Sequence, residues 1–303
     1  FSALNALTYL LLGIIYNNLA FSEIFSLTYP LQFVVAILLS FFASSSNIRA
    51  NKEDNKDCVF SGMILGLISF IIFAIIAIFI DKYILFMNMD PEIYRTFTLM
   101  AIGQLFFSFV ANIIAEKLYY EDNDKKANLC NVGFIILNLI TVSVTTLITK
   151  NQIIIMSVNL LSLFIYCLIW FAFNIKKFKF NFSIKKNFKF ESMYIISNIL
   201  MLIIYLFGYR TAFGFGSEYV IALNFVNLIT DPQWDALDAI SKIAKIEISQ
   251  SKYNYKKAIK FSSIITTFFI GSSIILFFAL FNTYNVVLKI GLIYLGIQAI
   301  DMI

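Results

Sequence analysis

Five polar residues recur at helical spacing inside an apolar run. Asn224, Asn227, Asp231, Asp235 and Asp238 lie in "NFVNLITDPQWDALDAISKIAKIEISQ" at intervals of 3, 4, 4 and 3. On a helix they share one face, with Phe225, Leu228, Ile229, Ala236, Leu237 and Ile240 on the other. Carboxylates inside a membrane are costly, and they usually face an internal cavity and mark ion or proton pathways. Like charges held close together disfavour full ionisation, so a proton or a sodium ion is the natural occupant. A second reading stays open. "TDPQWD" is also a helix start, with Asp231 capping, Pro232 at the first helical position and acids in the first turn. The helix beginning there would then lie along the membrane interface. Both hold if the span breaks at Pro232, which removes the bond to the Leu228 carbonyl.

Weaker stripes occur elsewhere: Gln104, Ser108, Asn112 and Glu116; Asn138, Thr141 and Thr145; Asn5, Tyr9 and Asn17; Asn198, Tyr205 and Tyr209; Tyr294, Gln298 and Asp301. Polar residues between membrane helices commonly serve as packing glue. Asp301 differs, because an ionisable group deep in a span needs a partner or water.

The elements that carry these residues are membrane helices. Of the 303 residues 60% are hydrophobic, 14% are charged and 34 are Phe, and the mean hydropathy is +0.83. A water-soluble domain has about 25% charged residues, so no polar shell could cover this chain. Apolar runs of about 20 residues, long enough to cross a hydrocarbon core, recur throughout. They are continuous rather than alternating, which excludes a barrel. Ten spans are expected, at about 1–21, 24–46, 60–80, 93–115, 129–149, 152–174, 191–209, 218–240, 261–281 and 286–303.

The basic residues set the orientation. Loops after even-numbered spans hold 18 of the 23 Lys and Arg residues, from Arg49 to Lys260. Loops after odd-numbered spans hold Lys82, Arg95, Lys150 and Arg210, and Lys289 lies in the last span. Basic loops stay cytoplasmic, so the chain starts inside. The net charge of +5 thus reflects membrane orientation, and no nucleic-acid partner is expected. Histidine is absent, which removes imidazole catalysis and His-based metal sites. Cys58, Cys130 and Cys167 have no pairing spacing. No Walker loop, Rossmann fingerprint, HExxH or nucleophile elbow is present, and an enzyme is not expected.

"SEIFSLTYP" at Ser22 and "SEYVIALNF" at Ser217 open two similar successions of spans. Six spans separate them, so both copies start on the same side, as in a parallel repeat. The expected fold is all-α and polytopic, with two six-helix lobes and four of the six spans of the second lobe in the chain. The first lobe covers residues 1–175, a basic cytoplasmic linker 176–190 and the second lobe 191–303. Two further spans are expected after Ile303.

Three stretches carry a family resemblance: "LTYPLQFVVAILLSFFASSSNIRANKEDNKD", "IGQLFFSFVANIIAEKLYYEDNDKKANLCNVGFIILNLI" and "GSEYVIALNFVNLITDPQWDALDAISKIAKIEISQ". In order and length of segments the chain resembles the multidrug and toxic compound extrusion family. That resemblance implies a monomeric plasma-membrane antiporter that exports organic cations in exchange for H⁺ or Na⁺ by alternating access, without a cofactor. Many members carry an aspartate in the first span, where this chain has Asn5 and Asn17. Others use a glutamate within the seventh span, whereas Glu191 sits at its edge and Asn198 lies deeper. An acid in the tenth span is matched by Asp301. Coupling is therefore expected on Asp235, Asp238 and Asp301, with Asp231, Asn227, Asn198 and Gln298 completing the ion and substrate site. Two alternatives stand beside this. One is a lipid-linked oligosaccharide flippase of the same superfamily, whose cavity would be lined by basic residues. The other is a receptor or scaffold without transport.

Overall fold

Every regular element among the described residues is a helix. The computed structural model describes residues 20–174, 183–224, 226–227, 230–231, 255–281 and 285–302. Helix α1 (Ala20–Leu38) runs through a π-helical turn (Leu39–Ser44) into α2 (Ser45–Glu53). Helices α3 (Asp57–Ile68), α4 (Phe70–Ile78) and α5 (Ile80–Phe86) follow almost end to end, meeting at Ser69 and Phe79. Then come α6 (Pro91–Tyr120), α7 (Asp124–Ile148), α8 (Gln152–Asn174) and α9 (Ile184–Phe215). Residues 217–224 are also helical, and α10 (Tyr255–Phe281) and α11 (Asn285–Met302) close the described chain.

Six helical runs among the described residues are long and apolar enough to cross a membrane. They are Ser26–Glu53, Asp57–Ile78, Pro91–Tyr120, Asp124–Ile148, Ile153–Asn174 and Ile184–Phe215. Each overlaps one of the expected second to seventh spans, but several continue beyond the apolar stretch. The run from α1 ends at Glu53, α6 ends at Tyr120 and α9 begins at Ile184. Polar end turns can stay helical because each gains an N–H to C=O bond per residue once the helix exists. The expected first span lies outside the described residues.

Local chemistry explains where the helices start. Asp90 accepts a bond of 2.9 Å from the Glu92 N–H, and Pro91 occupies the first helical position of α6. Asn151 Oδ1 accepts from the Ile153 and Ile154 N–H groups and so caps α8. The turns at Asp54, Asn88 and Asp122 take positive φ, which Asn and Asp tolerate best among residues with a Cβ.

The described residues up to Arg210 form one compact unit, and those from Thr211 onward belong to a second. In the first unit α6 is central, with α1, α3, α7 and α8 packed around it. Its buried positions include Ala101, Ser108, Ala111 and Ala115, whose small side chains let neighbouring helices approach. The outer faces are apolar. Leu147, Ile148, Phe173 and Met193 are each nearly four-fifths exposed, a surface suited to lipid.

The π turn has a close neighbour in α3. A Cβ on Gly62 would stand 2.1 Å from Ser46 Oγ and 2.3 Å from the Phe42 carbonyl oxygen, so only glycine allows the two backbones this distance. Ser40, Ser45 and Ser46 bond back to the carbonyls of Ala36, Phe41 and Phe42, giving the widened turn extra partners.

In the second unit α10 and α11 pack as neighbours. Ala222 and Val226 form a core cluster with Leu295, flanked by Ile290, Leu292 and Tyr294.

Gly62→Ala should lower the thermal unfolding midpoint of the detergent-solubilised protein, with a cost of about 1–3 kcal/mol for overpacking. Gly208→Ala is the comparison: nothing lies within 4 Å of its added Cβ. It should be neutral or stabilising, since Ala is the better helix former by about 1 kcal/mol. Equal loss in both variants would contradict the close approach at Gly62.

Candidate functional site

The stretch around Asp231 is helical wherever it is described, and it is buried. Asn224 is 7% exposed, Asn227 0%, Thr230 2% and Asp231 4%. Thr230 Oγ1 donates to the Val226 carbonyl at 3.0 Å, a bond within its own helix. Ala222 and Val226 meet Leu295, so the helix bearing Asn227 and Asp231 packs beside α11, which bears Gln298 and Asp301. Two of the expected site elements are thereby brought together. The side chains of Gln298 and Asp301, and the whole of Asp235 and Asp238, lie outside the described residues.

Asn198 belongs to the first unit. It is 8% exposed, and its Nδ2 donates to the Tyr194 carbonyl at 2.8 Å, one turn back on α9. Glu191, read from sequence as the edge of the seventh span, is two turns inside α9 and 4% exposed.

Three polar constellations in the first unit show how this chain handles polar groups among apolar helices. The deepest joins α6, α7 and α8. Gln104 Nε2 donates to Asn138 Oδ1 (3.3 Å) and Asn159 Oδ1 (3.0 Å), and Asn159 Nδ2 donates to Asn138 Oδ1 and Thr141 Oγ1 (both 2.8 Å). Gln104, Asn138 and Asn159 are at most 3% exposed. The stripes on the fourth and fifth spans thus interlock as packing contacts. Asn159 was missed by stripe-finding, because it is a lone Asn in "IIIMSVNLLSLF"; an amide isolated in an apolar run is the signal that would have found it.

The second constellation lies at one end of the unit. Tyr94 donates its hydroxyl to Glu23 Oε2, Tyr83 donates to the Leu27 carbonyl, and Arg95 pairs with Asp81 at 3.4 Å. Arg210 sits over the Phe86 ring, and its carbonyl accepts from Asn88 Nδ2. Tyr205 and Tyr209 pack on Tyr29, and Tyr205 stacks on Phe33.

The third gathers loop residues of the opposite charge set. Glu53 takes Arg49 Nε at 3.2 Å on one oxygen and Lys186 Nζ at 2.8 Å on the other. Arg49 also donates to Asn187 Oδ1, and Asn187 Nδ2 donates to the Phe41 carbonyl and to Ser46 Oγ. Close by in sequence, Asn47 Nδ2 donates to Glu116 Oε2 at 3.1 Å. The sequence places Arg49 in a cytoplasmic loop, yet it is 2% exposed. The helix continues past the span, and α9 covers it. Neither Arg49 nor Asn187 shows a periodic pattern, and their pairing spans 138 residues.

Replacing Asn159 by Leu removes three hydrogen bonds and leaves the amide of Gln104 short of an acceptor. Interhelical bonds of this kind contribute on average about 0.6 kcal/mol each, so a loss of roughly 1–2 kcal/mol is expected in denaturant unfolding. Ser162→Ala, at an exposed helix position, is the control. Wild-type stability for Asn159→Leu would show that the network contributes nothing net.

Set against known protein families, curated proteins and solved structures, the chain matches none, so the reading of its function rests on its residues and their geometry.

Proposed function

We propose that the protein is a secondary active transporter of the plasma membrane that exports organic cations in exchange for H⁺ or Na⁺ by alternating access. The observation that carries this reading is the burial of Asn227 and Asp231 on a helical segment packed beside α11. If the eighth and tenth spans run in the same direction, as the ten-span order requires, the levels agree. Asp231 lies five residues beyond Val226 and Asp301 six beyond Leu295, so the two backbone positions stand about 7–9 Å past the shared contact at 1.5 Å per residue. In the sequence Asp235 and Asp238 follow at the same helical spacing. A carboxylate group in that place holds a cation at low cost only when the cation is present, which is the basis of exchange.

The orientation has support from proximity. Arg49 and Lys186, assigned to the cytoplasm, share Glu53. Lys82, Arg95 and Arg210, assigned outside, all lie against residues 79–95. Loops placed on one side by their charge therefore meet in space. The flippase alternative needs cations in the cavity, whereas Lys289, the cation of the tenth span, is exposed.

In intact cells, cysteines at Lys185 and Lys256 should be labelled only from the cytoplasmic side, and cysteines at Lys82 and Arg210 only from outside. External labelling of Lys256→Cys would overturn both the topology and the parallel repeat.

Asp235→Asn/Asp238→Asn keeps shape and hydrogen bonding while deleting charge. Dye efflux by the full-length protein in vesicles should lose its dependence on the imposed H⁺ or Na⁺ gradient, with membrane insertion intact. Asp231→Asn separates the two readings: it should weaken the gradient dependence if Asp231 lines the cation site, and be nearly silent if Asp231 only caps a helix at Pro232, since Asn caps about as well. Gradient-dependent efflux at the wild-type rate by the double variant would refute the coupling role.

A further inference from the structure

Helix α9, like α8, is buried along a single line of positions, but its two ends are anchored by different chemistry. Up to Arg210 its buried positions follow one line: Asn187, Glu191, Ile195, Asn198 and Tyr209, with Tyr205 half-buried between the last two. Their spacing of 4, 4, 3, 7 and 4 across Tyr205 describes a stripe one residue wide. On either side Met193, Ile196, Leu200 and Ile204 are exposed. Where α6 is surrounded, α9 is attached along an edge.

The attachments at its two ends differ in kind. At 205–209 they are aromatic, with ring centroids of Tyr205 and Tyr209 at 5.0 and 5.7 Å from that of Tyr29. Such contacts are tolerant of sliding, because ring pairs hold over centroid distances of roughly 4.5–7 Å. At 186–187 they are directional and charged. Asn187, fully buried, bonds to three partners, Arg49 Nη1, the Phe41 carbonyl and Ser46 Oγ, and Lys186 reaches Glu53. The Phe41 carbonyl belongs to the π turn, where the backbone is already out of α-helical register, and π turns concentrate at functional sites. Hydrogen bonds with these angular demands are made or broken as a set, which gives two discrete states.

We propose that α9 is a moving element, and that Asn187 and Lys186 form a polar latch that clips its first turns onto the π turn and α2. With the latch closed, Arg49 is out of water, satisfied by Glu53 and Asn187. With it open, Arg49 is hydrated, so the desolvation of that one charge is regained as the bonds are lost, while Glu53 and Lys186 already reach water in the closed state. That return lowers the cost of opening, whereas parting an apolar interface would leave only a cost. The narrow stripe keeps the remaining contacts few, and the aromatic end serves as the pivot.

Spin-label distances on the full chain in lipid nanodiscs test it. Labels at Asn51 and Lys189, both exposed, report the latch end, and labels at Leu85 and Phe207 report the pivot end. In Asn187→Ala and, separately, in Glu53→Gln, the Asn51–Lys189 distance should lengthen by about 5 Å or more, the rise of one helical turn. The Leu85–Phe207 distance should stay within about 2 Å of its wild-type value, less than half a turn. Two results would overturn the latch. One is an unchanged Asn51–Lys189 distribution in both variants. The other is an equal shift of both pairs, which is what mere loosening of the fold produces.

Discussion

Hydrocarbon offers no hydrogen-bond partner, and the rest of this structure follows from that constraint. Each backbone N–H and C=O must be satisfied within its own segment, so the described chain is helical, and the non-helical residues are confined to short turns. The same constraint governs side chains. Gln104, Asn138, Asn159 and Thr141 satisfy one another across three helices, while Ser40, Ser45, Ser46, Thr28, Thr98 and Thr146 bond back to their own helices. The two solutions have different consequences. Back-bonded hydroxyls leave helices free to pack by shape, whereas the amide network fixes which helices are neighbours and in what register.

Shape does the remaining work, because lipid tails are as apolar as the helices and supply no net drive for association. Close packing then depends on small residues at contacts. Gly62 against the π turn and Gly133 against the Tyr166 hydroxyl are positions where a Cβ would collide. Around α6 these contacts accumulate into a well-buried centre. Along α9 they are almost absent, and long side chains such as Tyr205, Tyr209 and Asn187 bridge the gap instead.

The acidic stripe extends the same logic to the second unit. Asp231 is buried on a helical segment whose Ala222 and Val226 pack against Leu295 of α11. In hydrocarbon a charge is retained only where something compensates it, and a transported cation is one such compensator.

The sequence by itself determined the helical, membrane-spanning character of the chain, because an apolar run of about 20 residues has one stable solution in a bilayer. It also located the stripes at Gln104, Asn138 and Thr141 and the face shared by Asn227 and Asp231, since a period of 3.6 is local information. It could not say whether a stripe bonds to a neighbouring helix, to its own carbonyls or to a cavity. Asn138 took the first course and Asn198 the second, from equally suggestive spacings. Helix ends were also poorly legible: Arg49 and Asn187 look like loop residues, because polarity marks where a membrane ends and not where a helix does. Only tertiary structure brought Arg49, Glu53, Lys186 and Asn187 together, across separations of 133 and 138 residues. Pairings of that range depend on how whole helices pack, which is settled by the summed fit of many small contacts and written in no single motif.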